Sequence, residues 1–408
     1  MTLKIIENGS VTTPAGFKAA GVTCGLKKSG KPDFAMVVSE LPCSFGAAFT
    51  SCTFAAAPVQ VSRDRAGREE TVRAIVINSG NANACTGARG RADAEATCAS
   101  AAAKLGISTR EVWVASTGRI GVRMPMQTIE KGIGMAAEAL SSEGGVAAAE
   151  AIMTTDTVRK NVAVEIETAA GKICIGAMVK GVGMIDPQLR AVPHATMICV
   201  VTCDAGISNA QLAAMVGSGV ENSFNRITVD GDMSTNDTVL VMANGASGVE
   251  VAPGSELETE FSAALLKVMQ ILARKQVMDG EGATKFVEID VVKARNAATA
   301  RLCAEAVANS LLCKTAWFGG DPNWGRVVAA LGYSGADFDP DKVNVFYNDK
   351  PVVTGGCDSG IAESELAKEL KNREFKIIVE LNNGDADYWV WTSDVSYEYV
   401  KINAEYHT

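Results

Sequence analysis

The chain contains 408 residues, of which 47% are hydrophobic and 21% are charged, and it carries a formal net charge of −9. This length predicts about two or three domains with a large core, and the acidic balance disfavours nucleic acid as a partner because phosphate binding requires a basic face. No stretch approaches the ~20 apolar residues of a membrane span, and residues 1–10 lack a secretory signal, so we expect a cytoplasmic protein without a membrane partner.

The numbers of cysteines and histidines limit the kinds of disulfide, metal site and catalytic base that the chain can contain. Eleven cysteines, an odd number, occur without any Cys-x-x-Cys pair, which predicts free and mostly buried thiols in a reducing compartment. The two histidines, His194 and His407, are too few for a zinc site built from several imidazoles. An exposed loop residue and an ordinary terminal residue are their simplest interpretations. If the chemistry is nucleophilic, a base other than imidazole is therefore favoured.

The N-terminal third of the chain alternates between strand and helix patterns. Apolar, β-branched runs predict strands, and an alanine-rich stretch that stops at Gly106 predicts a helix. Short apolar segments lie at 35–38 and 47–50, strands are predicted at 71–77 and 112–115, and helices are predicted at 92–105 and 126–140. The strand at 71–77 should end in a loop of small polar residues. The strand at 112–115 should deliver Thr117 and Gly118 into a second loop.

The central part of the chain contains a candidate nucleophile. Alternating residues at 162–166 and 172–179 predict a hairpin that presents Lys180 at its far end. Glycines and prolines then impose an irregular loop, and the apolar run that follows predicts a buried strand. Thr196 lies where the loop enters the core. Its hydroxyl could attack the carbonyl of Ala195, and the α-amine freed by that cleavage could act as its base. Taken alone, a threonine at a strand start is more often simply a packed residue.

The C-terminal half continues the α/β pattern. An amphipathic helix at 257–272 ends near Asp279 and leaves Glu281 in a glycine-flanked loop, where an acidic residue is usually solvated. The other predicted elements are strands at 197–201, 226–229, 285–292, 343–347, 375–381 and 388–391, and helices at 209–220, 296–312, 362–370 and from 321–326 onward.

The aspartates of an acidic loop after residue 229 could form a divalent metal site. It contains Asp230, Asp232 and Asp237, but the glutamate that completes a calcium-binding loop is missing at the required spacing. Local turns built on aspartate side chains explain the pattern equally well. We therefore expect no metal here.

Long motifs occur along the whole chain. They are Asn-Ser-Gly-Asn-Ala-Asn-Ala at 78–84, Ala-Ser-Thr-Gly at 115–118, Ala-Ile-Met-Thr-Thr-Asp-Thr at 151–157, Lys-Gly-Val-Gly-Met-Ile-Asp-Pro at 180–187, Ala-Thr-Met at 195–197, Thr-Cys-Asp-Ala at 202–205, Val-Asp-Gly-Asp-Met-Ser-Thr-Asn-Asp-Thr at 229–238, Asp-Gly-Glu-Gly-Ala at 279–283, Asp-Pro-Asn-Trp-Gly-Arg at 321–326, and Tyr-Val-Lys-Ile-Asn-Ala-Glu-Tyr-His-Thr at 399–408. In these motifs the chain resembles the ornithine acetyltransferases, the glutamate N-acetyltransferases of arginine biosynthesis. The resemblance covers essentially the entire sequence.

The resemblance implies an α/β fold, a layered αββα-type sandwich. It also implies self-cleavage between Ala195 and Thr196 into an alpha fragment, 1–195, and a beta fragment, 196–408, which pair into a heterotetramer of two copies of each. In this chain the loop at 189–194 is longer than is usual in the family. A surface insertion of this kind costs little stability, but it adds side chains close to the expected cleavage point.

The resemblance also assigns roles to individual residues. Thr196 is the nucleophile, and Thr117 with Gly118 forms the oxyanion hole. Lys180 binds the substrate carboxylate, and Glu281 binds the substrate amino group. The remaining implied substrate contacts are Thr154, Asn403 and Thr408.

The implied reaction transfers an acetyl group from N2-acetylornithine to glutamate through an acetyl-threonine, without a cofactor. It leaves open whether acetyl-CoA also serves as a donor. Two rival hypotheses remain. In the first, the protein is an N-terminal-nucleophile aminopeptidase or amidase, in which water resolves the acyl-enzyme. In the second, it is an uncleaved protein that only binds amino acids.

Overall fold

The protein is described here by a computed structural model, in which residues 3–6, 8–68, 70–189 and 197–405 are described. The chain divides into two compact units. The first consists of Met1–Asn225 and Met233–Gln276, and the second of Arg226–Asp232 and Val277–His407. This division follows packing and does not test the predicted fragments 1–195 and 196–408, which remain a prediction.

The described residues form strands and helices in mixed order. The strands are β1 (Leu3–Ile6), β2 (Phe17–Val22), β3 (Phe34–Phe49), β4 (Val72–Asn81), β5 (Val112–Arg119), β6 (Lys160–Thr168), β7 (Gly171–Lys180), β8 (Ile198–Cys203), β9 (Ile227–Thr228), β10 (Thr238–Ala243), β11 (Phe286–Ala294), β12 (Asn344–Tyr347), β13 (Lys350–Thr354), β14 (Cys357–Asp358), β15 (Glu374–Glu380) and β16 (Ala386–Ser393). The helices are α1 (Ala57–Ala66), α2 (Gly87–Leu105), α3 (Met126–Glu138), α4 (Gly145–Ala151), α5 (Asn209–Glu221), α6 (Glu256–Met278), α7 (Ala297–Ala308), α8 (Leu311–Gly319), α9 (Trp324–Gly332), α10 (Glu363–Glu369) and α11 (Tyr397–Glu405).

The first unit is organised around the long strand β3. Its sheet has the order β1-β6-β7-β8-β10-β3-β4-β5, and β2 also pairs with β3. The N-terminal half of β3 lies between β2 and β4, whereas its C-terminal half pairs with β10. The β3–β4 register shifts between Val38 and Cys43. β3 therefore links two sets of strands into one continuous sheet.

Both faces of β2 to β5 are buried, so the strands carry apolar side chains in both directions. One face contributes Val37 and Trp113 to a core cluster that also contains Ile198 and Met242 from the other set of strands. The opposite face packs against α2 and α3. This unit therefore consists of a layer of helices, two layers of strands, and further helices against the second layer of strands, including α5 against β3. The arrangement confirms the layered α/β prediction within this unit.

The second unit contains a separate sheet of order β14-β13-β12-β15-β11-β16-β9. Its core includes Trp317, Tyr347 and Phe375, and the ring of Phe375 packs against the rings of the other two. The strands predicted at 285–292, 375–381 and 388–391 are confirmed as β11, β15 and β16.

Several local predictions are confirmed. The hairpin is formed by β6 and β7 and ends at Lys180. α2 stops at Gly106, which adopts a left-handed conformation with φ of 66°, the backbone geometry that glycine tolerates best. All eleven cysteines are free, and most are buried.

Two other predictions of where elements begin and end are wrong. The segments at 35–38 and 47–50 belong to the single strand β3. The predicted helix at 296–312 is two helices, because Ser310 accepts a hydrogen bond from Cys313 N and starts α8 anew. Among the described residues, no helix has the length and apolar character needed to cross a bilayer.

Candidate functional site

Three of the predicted site residues, Ala195, Thr196 and Thr408, lie outside the described residues, as do His194 and His407. Their assigned roles stay predictions. The residue after Thr196 is described: Met197 is fully buried, and its carbonyl accepts a hydrogen bond from the N–H of Thr238. The chain on the C-terminal side of the predicted cleavage point is therefore part of the sheet.

Thr117 and Gly118 occupy the C-terminal end of β5, and the prediction that they lie in a loop is wrong. Parallel pairing with β4 continues to the pair Gly80 and Gly118 and then shifts at Asn81. Gly118 has φ of +122°, and a Cβ on it would lie 2.5 Å from the carbonyl carbon of Gly80. A side chain is therefore excluded at this position by both the backbone conformation and the neighbouring strand.

Asparagine side chains fix this end of the β4–β5 pair. Asn78 accepts a hydrogen bond from Ser116 Oγ at 2.6 Å and donates to the carbonyl of Asn81 at 2.8 Å. Asn236 donates to the carbonyls of Ala82 and Ser116 at 2.6 and 2.8 Å. The two side-chain amides therefore supply hydrogen-bond donors to three buried carbonyls at this end of the strand pair. The polar motif at 78–84 thus determines the shape of the strand end.

Lys180 is buried at the end of β7 and points toward β5. Its Nζ donates a hydrogen bond to Thr117 Oγ1 at 3.3 Å, and its side chain belongs to a residue only 6% exposed. Gln276 of α6 holds the backbone here by donating to the carbonyls of Lys180 and Gly181 at 3.3 and 3.1 Å. The structure therefore places two predicted site residues, a cation and a hydroxyl, in direct contact.

Asp156 connects Lys180 to Thr154. Its carboxylate accepts hydrogen bonds from Lys160 Nζ at 2.8 Å, from Gly181 N at 3.0 Å and from Thr154 N at 3.1 Å. Burial by itself raises the pKa of this carboxyl, but the charges of Lys180 and Lys160 and these hydrogen bonds outweigh it, so the net pKa is lowered. Asp156 is therefore an ionised centre that holds the chain on both sides of the site.

A second buried carboxyl, Asp237, lies immediately before β10. It is fully buried, and within the described residues neither of its oxygens has a hydrogen-bond partner. Burial raises its pKa well above the usual range, and the positive charge of Lys180 opposes that shift only in part. The neutral acid is the form favoured by this environment.

The acidic loop gives no sign of a metal site. Asp230 accepts a hydrogen bond from the N–H of Asp232 at 3.3 Å, which is the local turn expected from the sequence. Across the described ranges, no group of three or more His, Cys, Asp or Glu side chains is arranged to hold a metal ion.

In the second unit, the structure brings together two further predicted residues. Asn403 of α11 donates a hydrogen bond to Glu281 Oε2 at 2.8 Å. Glu281 is 8% exposed, and its loop packs tightly against α11, since a Cβ on Gly282 would lie 2.6 Å from Tyr399 N. The carboxylate is therefore held in a defined position by the C-terminal helix.

Sequence reasoning assigned no role to Asp156, Lys160 or Gln276. A charged pair four residues apart, as at 156 and 160, is common on solvated helices and gives no sign of burial by itself. Here the segment between the two residues is not helical. An Asp within an otherwise uncharged hydroxyl-rich motif was the available signal.

Comparisons with known proteins agree on one family. Residues 18–408 match the model of the ArgJ family. The chain is 46% identical over 405 residues to the arginine biosynthesis bifunctional protein ArgJ of Symbiobacterium thermophilum, a match that covers 98% of this chain and 99% of that protein. It is 45% identical over 416 residues to the glutamate N-acetyltransferase of Methanocaldococcus jannaschii, with 100% of both chains covered.

A solved structure is similar over part of the chain. It is ornithine acetyltransferase complexed with ornithine from Mycobacterium tuberculosis, with 41% identity and a TM-score of 0.43. The match covers 46% of this chain and 100% of that one.

Proposed function

The chain belongs to the ArgJ family and is an enzyme of arginine biosynthesis, and on that premise we propose that it transfers the acetyl group of N2-acetylornithine to glutamate. Family membership over nearly the whole length supports this substrate pair. The observation that carries the proposal is the contact of Lys180 Nζ with Thr117 Oγ1 at 3.3 Å. A buried cation able to bind an α-carboxylate thereby lies against a residue assigned to the oxyanion hole.

The reaction proceeds in two half-reactions on Thr196. Its Oγ attacks the acetyl carbonyl and forms a C–O bond, while the hydroxyl proton passes to the α-amine of the same residue. Thr117 and Gly118 stabilise the negative oxygen of the tetrahedral intermediate. The C–N bond to ornithine then breaks, and the leaving amine takes up the proton. The α-amine of glutamate next attacks the acetyl ester, which releases N-acetylglutamate and restores the hydroxyl.

Both substrates carry an α-carboxylate, so one cation can serve both half-reactions. Lys180 fills this role because Asp156 and Gln276 hold its segment of chain in place. Glu281, which Asn403 orients, binds the substrate amino group. Thr154 and Thr408 complete the proposed contacts. One site visited alternately by two substrates gives ping-pong kinetics.

Maturation and assembly are part of the same proposal. The precursor cleaves itself between Ala195 and Thr196, and fragments 1–195 and 196–408 stay associated as a cytoplasmic heterotetramer. No cofactor takes part, and acetyl-CoA is proposed only as an additional acetyl donor. Leu189, the first residue of the long loop, is anchored by both its N–H and its carbonyl to Asn225. That anchor holds Leu189, the last described residue before the predicted cleavage point.

Intact mass spectrometry tests this proposal. Two fragments with a new N-terminus at Thr196 are expected, and incubation with N2-acetylornithine should add one acetyl group to the second fragment. Thr196→Ala should stay a single chain without activity, whereas Thr168→Ala, in the exposed hairpin turn, should behave like the parent protein.

The same samples separate the rival functions. Acetylglutamate should form rapidly when glutamate is present. If acetate is released equally fast without glutamate, the enzyme is a hydrolase. An uncleaved parent chain, or a Thr196→Ala variant as active as the parent, contradicts the proposed mechanism.

A further inference from the structure

A pocket of about 770 Å³ opens in the first unit beside the predicted substrate residue Thr154. Its lining carries an excess of positive charge. Lys27, Lys31 and Lys275 contribute three cations, while the fourth, Arg159, is paired with Glu150 at 3.3 Å. The other acid of the lining, Asp156, is bonded to Lys160. The net charge therefore suits an anionic group, and none of the roles assigned above uses these cations.

Lys27 is the cation of this pocket that the fold holds most firmly. The carboxylate of Asp33 accepts hydrogen bonds from the backbone N–H groups of residues 24–27, including that of Lys27 at 3.0 Å. The ammonium group donates to the carbonyls of Pro32 and Met153 at 2.6 and 2.7 Å. An ammonium has three N–H donors, so one is left for a ligand. Met153 directly precedes Thr154, which places this charge at the predicted site.

Two further observations put Lys27 next to the reacting end of the site. A Cβ added to Gly80 would lie 3.4 Å from Lys27 Cγ, so the lysine stem runs along the residue paired with Gly118. Its charge also interacts with those of Lys180 and Asp156, and burial lowers its pKa to about 8. A lysine that has lost part of its hydration is a better partner for a carboxylate than a fully solvated one.

We infer that Lys27 binds the side-chain carboxylate of the acetyl acceptor, glutamate, and so determines acceptor specificity. The inference rests on the proposed function and deepens it. Glutamate has two carboxylates, and Lys180 accounts for the α-carboxylate alone. A second carboxylate that enters a partly buried site without a counter-charge pays a large desolvation cost. The donor, N2-acetylornithine, has an amino group in place of that carboxylate and gains nothing from Lys27.

The two half-reactions allow a clean test, because in ping-pong kinetics each substrate's kcat/KM reports its own half-reaction. Lys27→Met should lower kcat/KM for glutamate roughly 10- to 100-fold, the range of a hydrogen bond to a charged group. The value for N2-acetylornithine should change less than about twofold. Lys27→Arg should restore part of the loss. Lys28→Met, the exposed neighbour in the same loop, is the matched control and should match the parent.

Glutamine as an alternative acceptor distinguishes a binding role of Lys27 from a purely structural one. A purely structural role would not change the preference for glutamate over glutamine. Glutamine keeps the α-carboxylate and replaces the side-chain carboxylate by a neutral amide, so the preference of the parent for glutamate over glutamine should collapse in Lys27→Met. An equal loss for donor and acceptor overturns the inference. So does a loss confined to acetyl-CoA as donor, which would assign the cation to a phosphate of that molecule instead.

Calorimetric binding separates this inference from the proposed function. If the parent protein transfers no acetyl group, the proposed function fails, but titration with glutamate and glutamine still tests Lys27. Tighter binding of glutamate in the parent than in Lys27→Met, without a matching difference for glutamine, supports the inference. The inference is overturned if the parent and Lys27→Met bind glutamate with equal affinity, or if the parent does not bind glutamate.

Discussion

Asp156 and Asp237 are two buried carboxyl groups in the same unit, and folding shifts their pKa values in opposite directions. They are 7% and 0% exposed. Asp156 meets two backbone N–H groups and Lys160, with Lys180 nearby, and its pKa is lowered. Within the described residues, Asp237 meets no donor, and its pKa is raised well above the usual range. The contrast teaches that partners, rather than depth of burial, decide whether a buried acid is charged.

The reason lies in where each residue stands relative to a strand. Asp156 precedes β6 in an irregular segment, where backbone N–H groups of residues 154 and 181 can turn toward its side chain. Asp237 directly precedes β10, and the backbone around it is already used, since its carbonyl accepts the N–H of Thr50 at 3.1 Å. The backbone carbonyl of Asp237 is thus hydrogen-bonded, whereas its buried carboxyl group has no hydrogen-bond partner among the described residues.

The largest effect should come from breaking the Asp156 centre. Asp156→Ala breaks the buried ion pair with Lys160 and removes the acceptor of Gly181 N. We expect a loss of about 3–5 kcal/mol in the free energy of unfolding, the range for half of a buried ion pair. Urea denaturation measures this loss, and Glu143→Ala, an exposed acid of the same unit, is the control. A variant as stable as this control would show that the centre contributes little to the fold.

A smaller effect is expected from Lys160→Met, because Asp156 keeps its backbone donors and the charge of Lys180. The expected loss is about 1–3 kcal/mol, similar to that of a hydrogen bond to a charged group. Lys180→Met should instead lower kcat/KM for both substrates while changing stability less. If the two variants lose activity in equal proportion, the assignment of a structural role to Lys160 and a substrate-binding role to Lys180 is wrong.

The smallest effect, and the sharpest comparison, concerns pH. The lowered pKa of Asp156 makes its stabilisation present above the unfolded value, about 3.9, and lost as the pH falls through the folded pKa. The raised pKa of Asp237 has the opposite sign: its contribution is present at low pH and lost as the pH rises through the folded value. Each group changes the free energy of unfolding by at most about 1.4 kcal/mol per pH unit.

Thermal unfolding across pH 3 to 9 measures these slopes. Asp156→Asn should remove part of the acid-side loss, and Asp237→Asn should remove part of the loss at higher pH. At the acid end Asp237→Asn should differ little from the parent, because both side chains are then neutral. Parallel curves for the parent and both variants would contradict the assignment.

Among the residues proposed to act on the substrate, the position of Lys180 in the fold was predicted better than the positions of Thr117 and Gly118. Lys180 was placed correctly at the end of a hairpin, because alternation at 162–166 and 172–179 is a local signal that both strands carry. Thr117 and Gly118 were recognised by their motif, but the strand around them was ended too early. Their pairing with β4 depends on residues about forty positions away, which local pattern cannot reveal.

By itself, the sequence determined the family, the α/β alternation, the hairpin and the identity of the residues proposed to act on the substrate, since motifs and short-range periodicity are properties of neighbouring residues. Only the tertiary structure decided that two apolar segments form the single strand β3, that the pKa of Asp156 is lowered while that of Asp237 is raised, and that Lys27 reaches the pocket beside Thr154. The physical reason is common to all three. Strand pairing, burial and the balance of buried charge are set by groups that are distant in the chain and become neighbours only when it folds.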